Sequence, residues 1–349
     1  MAENTVSLNK ATLKDVARAA GVAWSTASYA LNGGPKPVSE AARRRVLDAA
    51  QSLGYSSNLL ARGLVTGRMR TIGVLAPDFH STNATEQIAG VEAEAQLHDY
   101  RVVLATHLSE PVRAEIMQRD MSARRMDGII SISATADVKP GVADVLPILG
   151  LPYIRTYHAP LDGLPGDYAA VNQEQGGYIA TKHLLDQGRR RIVYVGPLNR
   201  RDAARKRLEG FRRAHAEAGR VLSEDQIVAT ETFYTSAGLE AGREILGRHP
   251  AQAVGCDAVL AASDTLAAGI LRAAHETGLQ VPGDLAVLGF DDITDLCDGL
   301  YPSLTSVHVP LSEIGRWSVR RLIERLDHPK DWEPTTRYFD CRITLRESA

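Results

Sequence analysis

From Thr71 onward the chain alternates apolar runs of strand length with longer segments whose apolar residues recur every three or four positions. The short runs predict strands and the longer segments predict helices, and their alternation predicts parallel sheets with right-handed crossovers, wound on both faces. The predicted strands are 71–76, 101–106, 127–132, 153–157, 191–196, 257–262 and 285–290. The predicted helices are about 84–97, 111–124, 173–187, 202–218, 236–248, 264–278 and 312–326.

This number of strand–helix units is too large for a single hydrophobic core. We therefore predict two sheets in two lobes. The stretch from Tyr168 to Val171 is the predicted crossing between them. The fold class is therefore predicted to be α/β, with two doubly wound parallel-sheet lobes.

A different pattern precedes this body. Apolar residues at i, i+3, i+4 and i+7 form one face of a short helix that Thr12 opens and Gly21 ends. A second short helix runs from about Trp24 to Leu31. Two short helices joined through a glycine turn are typical of the helix–turn–helix, whose second helix enters the DNA major groove. An ordinary helical hairpin would show the same pattern.

Ser39 is predicted to cap a third helix that Gly54 ends. We expect its apolar side chains to point inward and its three arginines to lie on or near the outer face. The inward set is Val46, Leu47, Ala50 and Leu53, and the arginines are Arg43, Arg44 and Arg45. Asn58 is predicted to cap one further short helix, in which Gly63 costs roughly 1 kcal/mol of stability relative to alanine.

The whole-chain charge of −2 hides an asymmetry. Residues 1–70 hold ten Lys and Arg against four acids, a net charge of +6, which leaves −8 for the remainder. A small basic part on a larger acidic body indicates a DNA-binding module joined to a domain that does not bind DNA, although a solvated run of charge would explain part of it.

No apolar run has the length of a signal peptide or a membrane span, so we expect a cytoplasmic protein without a membrane partner. The three cysteines lie far apart, with no second ligand at metal spacing. We therefore expect buried thiols, no metal and no cofactor.

Several segments, in order and spacing, resemble the LacI/GalR family of transcription regulators over nearly the full length. The N-terminal segments are TLKDVARAAGVAWSTASYALNG, VSEAARRRVLDAAQSLGY and NLLARGLVTGRMRTIGVLAPD. The later segments are GPLNRRDAARKRLEGF, LAASDTLAAGILRAAHETGLQVPGDLAVLGFDD and PSLTSV. The resemblance implies a homodimer whose heads bind a pseudo-palindromic operator in double-stranded DNA. It also implies a periplasmic-binding-protein-like body that changes shape around a small-molecule effector.

The resemblance divides the chain into three parts: a helix–turn–helix DNA-binding domain over 1–57, a hinge helix and linker over 58–70, and an effector-binding and dimerisation domain over 71–349. Within the last part we expect an N-lobe of about 71–169 and 304–327, and a C-lobe of about 170–300 and 330–349.

By the same resemblance, Trp24, Ser25 and Tyr29 contact bases from the second helix. Aromatic edges can contact a thymine methyl, and a serine hydroxyl discriminates little. The alternative is that Trp24 and Tyr29 pack within the head. Contacts to DNA phosphates, which position the head without choosing sequence, are expected from Thr12, Arg18, Ser28 and Asn32.

Leu64 corresponds to the hinge leucine of the family, which enters the minor groove with its symmetry mate and kinks the duplex. Arg62 is expected to contact DNA beside it. The alternative is that Leu64 packs on the body.

The effector contacts of the family map onto five positions in the second lobe. Arg207 supplies a donor fork for hydroxyls or a carboxylate, Asp291 accepts from vicinal hydroxyls, and Phe233 stacks on an apolar ring face. The other two positions are Ser263 and Asp264, of which Asp264 is alternatively a helix N-cap; Asp292 is expected to cap or pair locally.

The first lobe departs from the family's sugar-binding pattern. Where many members have Asn-Pro-Phe-Phe after the first strand, this chain has Ser81-Thr-Asn-Ala. Where many have an aspartate at the end of the fourth strand, it has Tyr157, with Arg155 two residues earlier. We expect Ser81, Tyr157 and Arg155 to line the effector site. The predicted effector is a sugar or sugar derivative, with a larger glycoside or an acidic ligand as hypotheses in place of a plain monosaccharide.

Two other classes of protein would share such a body. A transporter's solute-binding protein would need an export signal and would have no use for the basic head. An enzyme on a Rossmann-like sheet would show a nucleotide-binding, nucleophile or metal-binding motif, and none of those that we sought is present. We therefore expect no enzymatic activity.

Overall fold

The structure is a computed structural model that describes residues 11–32, 36–55, 68–76, 82–106, 126–132, 151–157, 166–198, 202–247 and 256–349. The chain forms two compact units, Met1–Met69 and Arg70–Ala349, which we call the head and the body. Elements are numbered in chain order over the described residues.

The described head consists of three helices, α1 (Leu13–Ala19), α2 (Trp24–Asn32) and α3 (Glu40–Ser52). Thr12 begins α1 through a capping box: the Asp15 amide donates to the Thr12 hydroxyl, and the Asp15 carboxylate accepts from the Thr12 amide. All three helices contribute to one small apolar core. Its buried members are Val16, Ala17, Ala20, Ala27, Ala30, Val46, Ala49 and Ala50.

Two of the three arginines of α3 connect the helices of the head. Arg43 Nη1 donates to the Ala30 carbonyl oxygen at 3.0 Å, and Arg45 Nε donates to the Ala20 carbonyl oxygen at 3.2 Å. Both acceptors lie at or near a helix C-terminus, where backbone carbonyls lack partners within their own helix. These two side chains are therefore structural as well as basic.

The apolar face of α3 is narrower than predicted. Val46, Ala49 and Ala50 are buried, but Leu47 and Leu53 are 50% and 40% exposed. Their prediction as inward residues is wrong. Leu47 is turned about 100° from Val46 around the helix, and Leu53 follows the last helical residue.

The body contains two six-stranded sheets within the described ranges. The strands of the first are β1 (Thr71–Ala76), β2 (Arg101–Thr106), β3 (Gly128–Ile132), β4 (Tyr153–Tyr157), β5 (Asp167–Val171) and β11 (Thr336–Phe339). The strands of the second are β6 (Ile192–Pro197), β7 (Ile227–Thr230), β8 (Ala258–Ala261), β9 (Ala286–Asp291), β10 (Thr305–His308) and β12 (Arg342–Thr344).

The described helices of the body connect or cover these strands. They are α4 (Thr82–Leu97), α5 (Gln173–Asp186), α6 (Asp202–Glu217), α7 (Thr235–Gly247), α8 (Asp264–Glu276), α9 (Thr294–Gly299) and α10 (Leu311–Asp327), with a 3₁₀ turn at Glu224–Gln226. Of these described helices, none has the length and apolar composition needed to cross a membrane.

The strand order is β11-β5-β4-β3-β1-β2 in the first sheet and β12-β10-β9-β8-β6-β7 in the second. Every pairing is parallel except that of β10 with β12. The predicted α/β class with two mainly parallel sheets is confirmed. Each of the seven predicted strands is present with ends that agree within one residue, whereas the predicted helix 111–124 lies outside the described residues.

Among the described residues the chain passes between the lobes after β5, between β10 and α10, and between β11 and β12. The predicted crossing at Tyr168–Val171 is itself part of strand β5, and the crossing follows it at Asn172. The predicted lobe bounds also differ from the sheets. Strand β10 belongs to the second sheet, and β11 pairs with β5 in the first. The reason is that hydrogen bonding between distant segments, and not position along the chain, decides the sheet of a short strand.

The crossing segments bond to one another. The Asn172 side chain donates to the Asp340 carboxylate at 2.9 Å, while the Gln175 side chain accepts from the Cys341 amide at 2.9 Å and donates to its carbonyl at 3.1 Å. The three cysteines are free and buried, as predicted.

Candidate functional site

The body brings one buried arginine of the second lobe into contact with both lobes. Arg207, on α6, is 1% exposed, and each of its three nitrogen atoms has a protein acceptor. Nε donates to Gln173 Oε1 at 2.8 Å, Nη1 to the Ala262 carbonyl, and Nη2 to Tyr157 Oη at 2.8 Å and Asp291 Oδ1 at 3.2 Å. The structure thus places together three predicted residues that are far apart in sequence.

Tyr157 is the first-lobe member of this cluster. It ends strand β4, is 3% exposed, and its hydroxyl lies 3.5 Å from Asp291 Oδ1. Burial raises the pKa of Tyr157 to about 12, with the charge of Asp291 adding to the effect and that of Arg207 opposing it. The hydroxyl therefore stays protonated at physiological pH and is able to donate as well as accept a hydrogen bond.

Burial also raises the pKa of Asp291, because a carboxylate loses its hydration in the interior. The positive charge of Arg207 and hydrogen bonds from Asn83, Arg207 and Tyr157 oppose this rise. Donors from both lobes therefore favour the carboxylate form of Asp291, although burial keeps its pKa above the ordinary value.

Two adjacent glycines at the start of α5 make room for this cluster. A Cβ at Gly177 would lie 2.0 Å from the Arg207 carbonyl oxygen, and a Cβ at Gly176 would lie 2.6 Å from the Phe290 ring. The same ring lies beneath the Arg207 guanidinium, 3.6 Å from it, in a cation–π contact. Arg207 therefore takes this position only because α5 lies close to α6 and β9.

The backbone at the site adopts an uncommon conformation. Tyr157, Asp291 and Asp292 have φ values of 80°, 108° and 60°, in the left-handed region. Such conformations cost about 1–3 kcal/mol each and tend to cluster at functional sites. Three of the five described non-glycine residues with positive φ lie here, which supports a functional interpretation of the cluster.

Ser263 and Asp264 are buried in the second lobe and hold backbone segments next to the Arg207 cluster. Ser263 is the N-cap of α8, where its hydroxyl accepts from the Leu266 amide at 3.2 Å. Asp264 is fully buried and accepts from the Ile293 amide at 2.7 Å and from the Ser306 hydroxyl. The cap is therefore Ser263 and not Asp264. Asp264 instead anchors the loop that follows Asp291.

Burial, followed by the charge of Asp291, raises the pKa of Asp264 to about 7. An unfolded aspartate titrates near pH 4, so between about pH 4 and 7 the folded protein keeps a proton that the unfolded chain has lost. The free energy of unfolding therefore falls as pH rises through this interval, by up to about 1.4 kcal/mol per pH unit from this group.

We expect Asp264→Asn to remove this dependence. Between pH 5 and pH 7 the wild type should lose about 2 kcal/mol relative to the variant, measured by urea denaturation. Asp292→Asn is the matched control, since the pKa of Asp292 is about 2 and this residue does not titrate in that interval. Parallel pH profiles for wild type and Asp264→Asn would contradict the assignment.

Asp292 pairs with three side chains that lie 16, 52 and 54 residues away along the chain, so its predicted pairing is not local in sequence. Its carboxylate accepts from Thr344 at 2.7 Å and from Arg346 at 2.8 Å, and lies 3.0 Å from His308 Nδ1. Burial alone would raise the pKa of Asp292, but the hydrogen bonds from these three residues outweigh it. Asp292 therefore connects β9 to β10 and β12.

The remaining predicted effector residues lie outside the Arg207 cluster. Phe233 packs against the second-lobe core, and its carbonyl accepts from the Thr265 hydroxyl. Arg155 is buried on β4 opposite Ser131 and Tyr168, and its Nη1 has no hydrogen-bond partner in the described part of the chain. Ser81 lies outside the described residues.

In the head, α2 presents its N-terminal residues to solvent. Trp24 is 55% exposed and Ser25 is exposed, whereas Ser28 and Tyr29 are half-buried. Trp24 therefore does not pack in the head core, which was the alternative to base contact. The exposed Arg18 lies 3.6 Å from Asp15.

Three of the predicted DNA contacts fall on parts of the chain that the structure does not describe. Arg62 and Leu64 lie outside the described residues, as does the side chain of Asn32.

Sequence reasoning missed two members of the cluster. Gln173 is the first residue of α5, directly after the Asn172 cap, and Asn83 lies in the first turn of α4. Both follow the carboxyl end of a parallel strand, which is where ligands bind in such sheets. That position is the one signal that could have identified them.

Comparison with known proteins agrees with these observations. Residues 12–58 match the model of bacterial regulatory proteins of the lacI family, and residues 181–349 match that of a periplasmic binding protein-like domain. The ribose operon repressor of Escherichia coli (strain K12) is 34% identical over 320 residues, which cover 91% of this chain and 94% of the relative.

Two solved structures are also similar. The transcriptional regulator CelR in complex with cellobiose is 30% identical, with a TM-score of 0.70 over 97% of this chain and 100% of that chain. The lac repressor dimer bound to operator has a TM-score of 0.80 over 97% of this chain and 99% of that chain, and at 23% identity it supports the fold alone. From the helical head, the two-lobed body and these matches, the chain belongs to the LacI family of bacterial regulatory proteins.

Proposed function

We propose that this protein is a sequence-specific transcriptional repressor that binds a pseudo-palindromic operator as a homodimer in the cytoplasm. The observation that carries the proposal is the head: a three-helix unit with a basic sequence, whose second helix exposes Trp24 and Ser25 at its N-terminus. In a helix–turn–helix, those are the positions that meet base edges. The E. coli relative is named a repressor of the ribose operon, which supports the direction of regulation.

We further propose that a small-molecule effector binds between the lobes, at the Arg207 cluster. Arg207 and Asp291 supply a donor and an acceptor for neighbouring hydroxyls, and Tyr157 of the other lobe places its hydroxyl at this pair. A sugar or sugar derivative fits this chemistry, and the CelR structure contains cellobiose. An effector that changes the relation of the lobes in a dimer changes the spacing of the two heads, and so the fit to the operator.

A carboxylate-bearing sugar is the variant of this proposal that Arg155 favours. Arg155 is buried, and among the described residues no acid forms an ion pair with it. Buried arginines are normally paired, so an anionic group on the effector would complete its environment.

Selection of bound sites from random double-stranded DNA tests the proposal. The selection is repeated with neutral sugars, sugar acids and nucleosides. We expect one enriched symmetric site, whose recovery depends on members of one effector class. Failure to enrich any symmetric site under all conditions would overturn the repressor proposal. Response to neutral sugars alone would overturn the role of Arg155.

Trp24→Ala is expected to change the preferred bases of the half-site in the same selection, by about tenfold at the contacted position, since a good base contact discriminates by about 1–3 kcal/mol. Leu47→Ala is the control, because Leu47 is an apolar side chain of the head with 50% exposure that lies on α3 and not on α2. Unchanged base preference in Trp24→Ala would show that Trp24 does not read bases.

A further inference from the structure

Tyr157 connects the first lobe to the second through its side chain, whose hydroxyl reaches the charged residues of the second lobe. The residue belongs to strand β4 of the first sheet, but its side chain packs with the buried core of the second lobe. Its hydroxyl accepts from Arg207 Nη2 at 2.8 Å and lies 3.5 Å from Asp291 Oδ1. A phenolic hydroxyl thus contacts both the cation and the carboxylate of the second lobe.

A sugar hydroxyl bound to Arg207 and Asp291 would make the same two contacts as the Tyr157 hydroxyl. An arginine N–H donates to the hydroxyl oxygen, and the hydroxyl proton points to a carboxylate. Gln173 and Ala262 accept from Nε and Nη1, and both contacts of Nη2 go to Tyr157 and Asp291. A ligand hydroxyl at the position of the phenol would therefore require the same Nη2 donor and the same carboxylate acceptor.

We infer that Tyr157 is an internal substitute for an effector hydroxyl, and that an effector reaches Arg207 and Asp291 by displacing it. The inference rests on the proposed effector site and adds the residue that determines which ligands succeed. A successful ligand must replace the phenol as acceptor from Arg207 and as donor to Asp291. Polyols meet this condition, and ligands with a single acceptor do not.

The backbone agrees with this role. Tyr157 has a φ of 80°, which bulky L-residues rarely adopt, so the contacts of its side chain hold an unfavourable local conformation. The hydroxyl contacts hold Tyr157 at this φ value, so their loss makes it easier for the residue to return to ordinary strand geometry. The lobes should then separate more readily.

Tyr157→Phe in the full chain removes the hydroxyl oxygen and little else. Spin labels on cysteines introduced at Leu97 of the first lobe and Val221 of the second report the lobe separation, because both side chains are exposed and the native cysteines are buried. Dilution with unlabelled chain restricts the measurement to one protomer. We expect the ratio of separated to joined lobes to rise about tenfold, as for loss of one hydrogen bond to a charged group.

Tyr194→Phe is the matched control. The Tyr194 hydroxyl is equally buried but donates to the Ala204 carbonyl at 2.6 Å within the second lobe. Its removal should leave the label separation unchanged. An unchanged distribution in Tyr157→Phe, or an equal shift in Tyr194→Phe, would overturn the inference.

Chemical rescue tests the substitution itself. In Tyr157→Ala, p-cresol should restore the wild-type label separation because it supplies the missing phenol, whereas toluene should not. Equal effects of the two compounds would overturn the role of the hydroxyl. Neither measurement contains DNA or a natural effector, so its failure is distinguishable from failure of the proposed repressor function.

Discussion

Arg207→Met should lower the free energy of unfolding by about 3–5 kcal/mol, the cost of leaving one partner of a buried ion pair alone. Arg207 and Asp291 are both less than 10% exposed, and their charged atoms lie 3.2 Å apart. Methionine fills the space but supplies no N–H and no charge, so the Asp291 carboxylate loses its cationic partner and the Gln173 and Ala262 oxygens lose their donor. Urea denaturation followed by circular dichroism measures the loss.

A double variant distinguishes the energetic contribution of the charge pair from that of the residues around it. Arg207→Met with Asp291→Asn removes both charges and keeps at position 291 a residue that tolerates a φ of 108°. We expect it to recover much of the stability that Arg207→Met loses, because paired buried charges repay little more than their desolvation. The control is Arg243→Met, which breaks an exposed pair with Glu276 at 2.9 Å. Exposed pairs contribute about 0–1 kcal/mol. A loss in Arg207→Met no larger than in the control would contradict the buried-pair interpretation.

Gly177→Ala is the second change with a large expected effect. The added Cβ would lie 2.0 Å from the Arg207 carbonyl oxygen and 2.8 Å from the Arg207 carbonyl carbon and Cα. These are backbone atoms of α6, so no side-chain rotation relieves the overlap and α5 must move. Overpacking of this kind costs about 1–3 kcal/mol and sometimes more, and we expect at least the upper value.

Thermal unfolding measures this effect. A loss of about 3 kcal/mol corresponds to a fall in Tm on the order of 6–12 °C for a domain of this size class. Gly247→Ala is the matched control, because Gly247 ends α7 and an added Cβ would meet none of the described residues within 4 Å. Alanine there should be neutral or slightly stabilising. A similar Tm for the two variants would show that α5 and α6 tolerate a wider spacing.

Both predictions concern the same structural condition. Arg207 reaches Tyr157 and Asp291 only because Gly177 allows α6 to lie against α5, and Phe290 fills the space beneath the guanidinium. Loss of the glycine should therefore disturb the effector site as well as stability. The first variant acts through charge and the second through packing.

Local pattern determined the elements of this protein. The apolar runs that predict β1, β6 and β9 and the amphipathic segments that predict α5 and α8 are properties of neighbouring residues, so their ends agree with the structure within a residue or two. The head was predictable for the same reason, since Thr12 and Gly21 mark helix ends through contacts with nearby residues.

Only the tertiary structure decided the lobe of each short strand and the partners of each charged side chain. Strands β10 and β11, of four residues each, carry too little pattern to reveal which sheet will accept them. The partners of Arg207 are 34, 50, 55 and 84 residues away, and burial of its charge depends on all of them at once. Periodicity is local, whereas pairing and desolvation depend on segments that meet only after folding.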